Sequence, residues 1–206
     1  KNYDEEDAAA FYSNIYNGYQ FGLLCVSSAL IFGTRIIGRI LFAKEFYPAW
    51  QYVPALLIAV FFSALIGMFN SIFAAAKQVR ICAVSSLAGA VFNVLVSLWL
   101  TWRIGAQGAA IGTAAAHYLM WLILLAAVLK LVPMQIRLVR DHMAYGVLVL
   151  QGAALVLMEE SLLSYGVQAL CLAAMPALYH RELLRFLCRL RQLWLEKTTP
   201  KTGGAS

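Results

Sequence analysis

The chain has 206 residues, of which 62% are hydrophobic and 13% are charged, and its formal net charge is +6. Soluble domains are about half apolar and about a quarter charged, so this composition excludes an ordinary soluble domain. The apolar residues fall in blocks that are long enough to cross about 30 Å of hydrocarbon as helices. We therefore expect an all-α, polytopic membrane protein.

Six apolar blocks follow one another along the chain and predict six transmembrane helices. They cover residues 17–38, 52–76, 79–102, 106–131, 143–158 and 161–179. The last two blocks are short and are separated by Glu159 and Glu160, which predicts an additional transmembrane hairpin over 143–179. The alternative, one long helix, would leave two carboxylates near the middle of the membrane, which is costly.

The segments outside the apolar blocks predict the remaining organisation. Residues 1–16 begin KNYDEED, without an initiator Met or a signal peptide, so we expect a cytoplasmic linker in a fragment of a longer protein. Residues 17–142 would hold four transmembrane helices and a cytoplasmic loop. Residues 180–206 predict an amphipathic helix at the cytoplasmic membrane surface, followed by a disordered tail. A solvated extension of the last helix is the alternative for the amphipathic part.

The basic residues are distributed unevenly between the two sides of the predicted bundle. The N-terminus, the 77–80 turn, the 130–142 loop and the C-terminal tail carry twelve of the 16 Lys and Arg residues, and the opposite side carries four. Connections rich in Lys and Arg stay in the cytoplasm. Both ends of the chain are therefore predicted to be cytoplasmic.

Polar residues within the apolar blocks are the candidates for contact with a substrate. Asn70 and Asn93 suit either hydrogen bonds between helices or a substrate contact. His117 could exchange a proton near neutral pH or could serve only in packing. Arg35 and Arg39, near the outer end of the first helix, could extend to the membrane surface or could bind phosphate in a cavity.

Small residues recur at helical spacing in the third and fourth blocks and predict close contact between helices. Gly89 belongs to a stripe of small and polar residues in the third block, and Gly108 and Gly112 form a similar stripe in the fourth, with Thr113 beside them. Gly105 lies between the two blocks, where it would permit a reversal of the chain. We assign these residues to helix packing.

Several kinds of chemistry have no matching pattern in the sequence. Four widely spaced cysteines offer no metal or redox spacing. Between residues 8 and 140 the only acidic residue is Glu45, which argues against recognition of organic cations by buried carboxylates. No catalytic triad, phosphate loop or nucleic-acid motif is present. We therefore expect no enzyme activity, no catalytic residue, no cofactor, no metal and no nucleic-acid partner.

Two segments carry a family resemblance. LFAKEFYPAWQYVPALL (41–57) and FNVLVSLWLTWRIGAQGAAIGTAAA (92–116) resemble the C-terminal half of Wzx-type polysaccharide-biosynthesis flippases, which belong to the multidrug/oligosaccharidyl-lipid/polysaccharide exporter superfamily. The matching positions are Phe42, Glu45, Tyr47 and Ala49 in the first segment, Lys77 and Arg80 in the following turn, and Asn93, Gly105, Gly108, Ala109, Ala110 and Thr113 in the second segment. The chain departs from the family at residues 102–104, where Trp-Arg-Ile stands in place of Ile-Pro.

The resemblance implies a function and a set of partners. It implies the C-terminal part of a two-lobed exporter in the bacterial inner membrane, which flips undecaprenyl-pyrophosphate-linked oligosaccharide by alternating access. The implied partners are this lipid-linked substrate, membrane lipids, the missing N-terminal helices and the glycan polymerase machinery. Two alternatives remain, namely another exporter of the superfamily, for a drug or a lipid precursor, and a membrane scaffold subunit that transports nothing.

Overall fold

The computed structural model describes residues 2–180, 182–184 and 188, with the backbone alone for residues 2–8. The predicted all-α class is confirmed, since the described residues form helices and no strand. The elements are α1 (Asn2–Leu41), a 3-10 helix (Tyr47–Tyr52), α2 (Val53–Ala75), α3 (Arg80–Ile104), α4 (Ala106–Leu131), α5 (Leu138–Leu157) and α6 (Leu162–Leu178).

Four stretches of the described chain are long and apolar enough to cross a membrane. They are Ala9–Leu41, Tyr47–Ala75, Arg80–Ile104 and Ala106–Leu131. The remaining two helices differ from these in length or in charge. The α6 helix is apolar but has only 17 residues, and α5 carries Arg140, Asp141 and His142 in its first turns. Six crossings therefore stay a prediction, whereas four helices of membrane-spanning length are observed.

The ends of the chain differ from the predicted segments. Residues 2–16, predicted to be a linker, form the first turns of α1, which has 40 residues in all. A turn at residues 158–161 separates α5 from α6, so that the alternative of one continuous helix is wrong. Ser161 begins α6, and its hydroxyl accepts a hydrogen bond from the Ser164 amide at 3.2 Å. Most of the predicted amphipathic helix and tail, residues 180–206, lies outside the described residues.

The helices run back and forth between two ends of one bundle, and hydrogen bonds identify what lies at each end. At one end the Gln135 amide in the α4–α5 connection donates to the Ser13 hydroxyl of α1 at 2.9 Å. At the other end Gln107, in the first turn of α4, donates to the Gln51 carbonyl at 3.4 Å. We name these the loop end and the turn end of the bundle.

The core lies between α1, α2, α4 and α5, because these helices direct large aromatic side chains toward one another. Tyr16 and Phe69 stack with their ring centroids 5.6 Å apart, and Trp121 and Tyr145 meet edge to face at 5.4 Å. The α3 helix lies outside this core and packs mainly on α4. Of its described residues only Ser85 and Gly89 are buried, so α3 is a peripheral helix.

Candidate functional site

The α3–α4 hairpin brings two backbones into direct contact through glycine. A Cβ atom on Gly108 would lie 2.3 Å from the carbonyl carbon of Leu100, and one on Gly112 would lie 2.9 Å from the Cα of Ser97. Gly105 makes the reversal with φ +66° and ψ −150°, a conformation that disfavours any other residue. The structure thus places these glycines at the helix contact for which the sequence suggested them.

Gly89 faces α4 as well, but it meets a side chain there. A Cβ atom at this position would lie 2.2 Å from the Cγ of Met120. Thr113 turns to its own helix and donates from its hydroxyl to the Ala109 carbonyl at 2.9 Å. Gly108 and Gly112 therefore allow two backbones to meet, Gly89 makes room for a side chain, and Thr113 bonds within its own helix.

The two asparagines among the candidate residues lie on different helices. Asn93 is half-buried in α3, where its Oδ1 accepts a hydrogen bond from the Ser97 hydroxyl at 2.8 Å. Asn70 is half-buried in α2, and its Oδ1 is buried without a hydrogen-bond partner among the described residues. They therefore form no common polar site.

His117 is half-buried in α4, where its ring nitrogen Nδ1 lies 2.9 Å from the carbonyl oxygen of Thr113 in the preceding turn. A carbonyl can only accept a hydrogen bond, so this contact fixes the Nδ1 nitrogen as the donor. The geometry thus gives the imidazole a bond within its own helix.

Arg35 is buried and holds the end of a neighbouring helix. Its guanidinium donates to the carbonyls of Leu155 and Met158 at the C-terminus of α5, each at 2.6 Å, and it lies 4.9 Å from the ring centre of Trp50. The last carbonyls of a helix lack partners within the helix and carry partial negative charge. Arg35 supplies them with a cation, so these contacts favour a structural role over phosphate binding.

Arg39 lies one turn further along α1 and pairs with the α5–α6 turn. Its guanidinium forms an exposed ion pair with Glu160, whose carboxylate also accepts a hydrogen bond from the Tyr165 hydroxyl at 2.6 Å. The Tyr165 hydrogen bond, together with the charge of Arg39, holds the pKa of Glu160 below its usual value. Both outer arginines thus tie α1 to the hairpin of α5 and α6.

Sequence reasoning missed a buried polar seam along α1, α5 and α6. In the middle of the bundle the Ser28 hydroxyl donates to Oε1 of Gln151 at 2.7 Å, and the Gln151 side-chain amide nitrogen donates back to the Ser28 carbonyl at 3.0 Å. Gln168 of α6 donates to the Gln151 carbonyl at 3.0 Å. The signal was present in the sequence, because glutamine is rare in an apolar helix unless it has a partner.

The same seam contains a buried carboxylate at the loop end of the bundle. Asp141 has a fully buried side chain, and its Oδ1 accepts from the Tyr179 hydroxyl at 2.7 Å and from the Arg140 guanidinium at 3.0 Å. Gln20 of α1 donates to the Tyr179 hydroxyl at 2.7 Å. Asp141 falls within the predicted cytoplasmic loop 130–142, whereas in the structure it lies in α5 and joins α1, α5 and α6.

An apolar cleft of about 600 Å³ opens between α2, α4 and α5. Its length follows the helices, from Gln51 and Gln107 at the turn end to His142 near the loop end. Alanines and glycines form part of its lining, and a Cβ atom on Gly146 would meet no other atom within 4 Å. Cavities of about 300–1,000 Å³ are typical of ligand sites in proteins, so the cleft could receive an elongated apolar group.

The structure does not gather the predicted substrate-contact residues around this cleft. The five candidates, Arg35, Arg39, Asn70, Asn93 and His117, are absent from its described lining. They are absent as well from the described lining of a smaller polar cavity of about 190 Å³ at the loop end. Within the described chain they therefore form no single site, and the cleft and the seam are the better candidates.

Comparison with known proteins adds no relative to this picture. No protein-family model, curated protein or solved structure shows significant similarity to the chain. The resemblance to flippases therefore depends on the motifs of residues 41–57 and 92–116 alone.

Proposed function

We propose that the chain is the C-terminal part of a flippase that moves undecaprenyl-pyrophosphate-linked oligosaccharide across the bacterial inner membrane. The observation that carries the proposal is the apolar cleft between α2, α4 and α5. A lipid-linked substrate has a long hydrocarbon tail that must remain in an apolar environment while its polar head crosses. The cleft offers such an environment along two helices of membrane-spanning length, α2 and α4.

In this proposal the loop end of the bundle faces the cytoplasm. The 130–142 segment at that end contains Lys130, Arg137 and Arg140, and basic connections stay cytoplasmic. The head group, a pyrophosphate, would approach from this side. The glycan would travel through a cavity completed by the rest of the exporter, with the missing N-terminal helices opposite the bundle.

The buried carboxylate of Asp141 bears on the first alternative, another exporter of the superfamily for a drug or a lipid precursor, in the case where the cargo is a cationic drug. Such an exporter needs an unpaired negative charge in its cavity. The Asp141 carboxylate is already paired with the Arg140 guanidinium and with the Tyr179 hydroxyl. The charge is thus compensated within the bundle, which favours the lipid-linked substrate over an organic cation.

The second alternative, a membrane scaffold, draws support from the exposure of α3. Its outer side presents large apolar residues such as Leu87, Leu98 and Trp102 along most of its length. Such a face suits contact with lipid or with another membrane protein. The scaffold differs from the flippase in one testable respect, because it does not need an open cleft.

Complementation tests the proposal and separates it from the scaffold. The complete gene should restore surface polysaccharide in a strain that lacks its own flippase. In the same protein we expect Gly146→Leu to abolish restoration by filling the cleft, whereas Gly166→Leu should not. Gly166 is a matched control, because a Cβ atom there also meets nothing within 4 Å and the residue does not line the cleft.

The outcomes that contradict the proposal are specific. Failure of the complete protein to restore polysaccharide, although it is present in the membrane, would refute the flippase function. Restoration by the complete protein and equally by Gly146→Leu, at equal membrane levels, would refute the role of the cleft. The second result would favour the scaffold.

A further inference from the structure

Unpartnered polar atoms surround the buried carboxylate at the loop end of the bundle. Five side-chain atoms there are buried without a hydrogen-bond partner among the described residues, namely the hydroxyls of Tyr16 and Tyr145, Trp121 Nε1, Gln20 Oε1 and Asp141 Oδ2. Almost all buried polar atoms in proteins have a partner, either protein or water. Five exceptions in one region of a bundle therefore call for an occupant.

These residues belong to one cluster that joins α1, α4 and α5. The Tyr16 hydroxyl makes polar contacts with the side chains of Tyr145 and Trp121 that fall short of hydrogen-bond geometry, and it lies close to the Asp141 carboxylate. Tyr145 also interacts with Asp141, and Gln20 reaches the same carboxylate through its hydrogen bond to Tyr179. We name these five residues, Tyr16, Gln20, Trp121, Asp141 and Tyr145, the Asp141 cluster.

The chemistry of the unpartnered atoms identifies the occupant. Asp141 Oδ2 and Gln20 Oε1 can only accept hydrogen bonds, Trp121 Nε1 can only donate, and the two tyrosine hydroxyls can do both. A water molecule donates two hydrogen bonds and accepts two, so it can bond to atoms that only accept, to atoms that only donate and to hydroxyls that do both. A metal cation could not use the indole N–H and would add positive charge beside the Arg140 guanidinium, which already pairs with Asp141. An anion would be repelled by the negative charge of the Asp141 carboxylate.

A polar cavity at the loop end shares Arg140 with the surroundings of the cluster. The polar cavity of about 190 Å³ is bordered by Ser13, Asn17, Gln135 and Arg140, and it has room for several water molecules, each of which occupies about 30 Å³ in the liquid. Arg140 lines this cavity and also pairs with Asp141 of the cluster. Its guanidinium hydrogen-bonds to Asn17 on the cavity side and to Asp141 on the other, and it lies 3.9 Å from the ring centre of Tyr179.

We propose that the Asp141 cluster is an internal hydration site, which water enters from the polar cavity by passing Arg140. The middle of the seam is different, because the amide oxygen and the amide nitrogen of the Gln151 side chain are both bonded to Ser28, and Gln151 borders neither cavity among the described residues. Two fully buried polar residues of one helix, Asp141 and Gln151, should therefore differ in their access to water.

Cysteine accessibility tests this difference in the membrane-embedded chain. The four native cysteines are replaced by serine, and Asp141→Cys is compared with Gln151→Cys. Silver ion serves as a small water-borne thiol probe, and unreacted thiols are then counted with a maleimide after denaturation. We expect Asp141→Cys to react at least about tenfold faster than Gln151→Cys, since access to a sealed core requires local unfolding. Equal rates would overturn the proposal.

A second measurement avoids any change to the cluster and covers the case in which Asp141→Cys does not fold. In the unaltered chain with ¹⁵N-labelled tryptophan, the exchange of the Trp121 indole proton with D₂O is followed by NMR, and Trp121→Phe identifies its signal. Trp121 is fully buried, yet we expect its proton to exchange much faster than the backbone amides of α4. Exchange as slow as that of those amides would overturn the proposal.

Discussion

Replacement of Gly108 by alanine should loosen α3 from α4, because the obstacle is backbone rather than side chain. The new Cβ would lie 2.3 Å from the carbonyl carbon of Leu100 and 2.5 Å from the amide nitrogen of Thr101. Neither atom can rotate away. The two backbones must therefore separate by about 1.2–1.7 Å to regain the 3.5–4.0 Å at which carbon atoms pack.

The magnitude follows from two opposing effects. Overpacking of this kind costs about 1–3 kcal/mol, and we expect the upper end where backbone must move. Alanine itself favours a helix over glycine by about 1 kcal/mol. Gly108→Ala should therefore lower the free energy of unfolding by about 2 kcal/mol. Gly89→Ala should cost less, because the Met120 side chain that it meets is flexible.

Unfolding in mixed detergent micelles, titrated with SDS and followed by tryptophan fluorescence, measures these differences. Gly67→Ala on α2 is the matched control, since a Cβ atom there meets nothing within 4 Å, and it should be neutral or slightly stabilising. The expected order of stability is Gly67→Ala, then Gly89→Ala, then Gly108→Ala. If Gly108→Ala were as stable as the control, the close contact between α3 and α4 would be refuted.

Three further predictions concern the polar contacts of the bundle. Arg35→Met should lower the free energy of unfolding by about 2–4 kcal/mol, as measured by SDS titration, because the buried Leu155 carbonyl and the partly buried Met158 carbonyl lose a charged donor. Gln151→Leu should cost about 1–3 kcal/mol, and the double variant Ser28→Ala/Gln151→Leu should recover part of that loss, since neither partner is then left unpaired. The hydrogen bond from Tyr165 and the charge of Arg39 lower the pKa of Glu160. The stabilising effect of the ionised Glu160 is therefore present above about pH 4.3 and is lost as pH falls through the lowered pKa. Thermal melts of Glu160→Gln should accordingly depend less on pH, between about pH 6 and pH 3, than those of the parent chain.

The helices themselves could be predicted well where hydropathy alone decides. The predicted blocks 79–102 and 106–131 agree within two residues with α3 and α4. The prediction was poorer at α1, whose helix continues through the charged residues near its start. Charged side chains lower hydropathy without opposing a helix, so a hydropathy pattern marks the apolar part of a helix and not its end.

The contacts could be predicted only where they depend on a local pattern. Gly108 and Gly112 were recognised because small residues four positions apart share one helix face. The pair Ser28 and Gln151 is separated by 123 residues, and no local spacing connects them. Asp141 was misplaced for a related reason, since the basic residues that precede it are typical of a loop whereas its partner Tyr179 lies at the end of another helix.

Buried hydrogen bonds and apolar contacts hold different parts of the bundle, and these parts differ in stiffness. Directional hydrogen bonds tie α1, α5 and α6 together at three levels, through Asp141, Gln151 and Arg35. Between α4 and α5, in contrast, the cleft leaves open space, and the Tyr118 hydroxyl meets the His142 ring at 3.1 Å close to one end. Buried hydrogen bonds resist separation because each broken bond leaves polar atoms unpaired, whereas apolar walls can slide apart in lipid at little cost. We therefore expect any change in the width of the bundle to occur at the cleft, where the proposed function requires a substrate tail to pass.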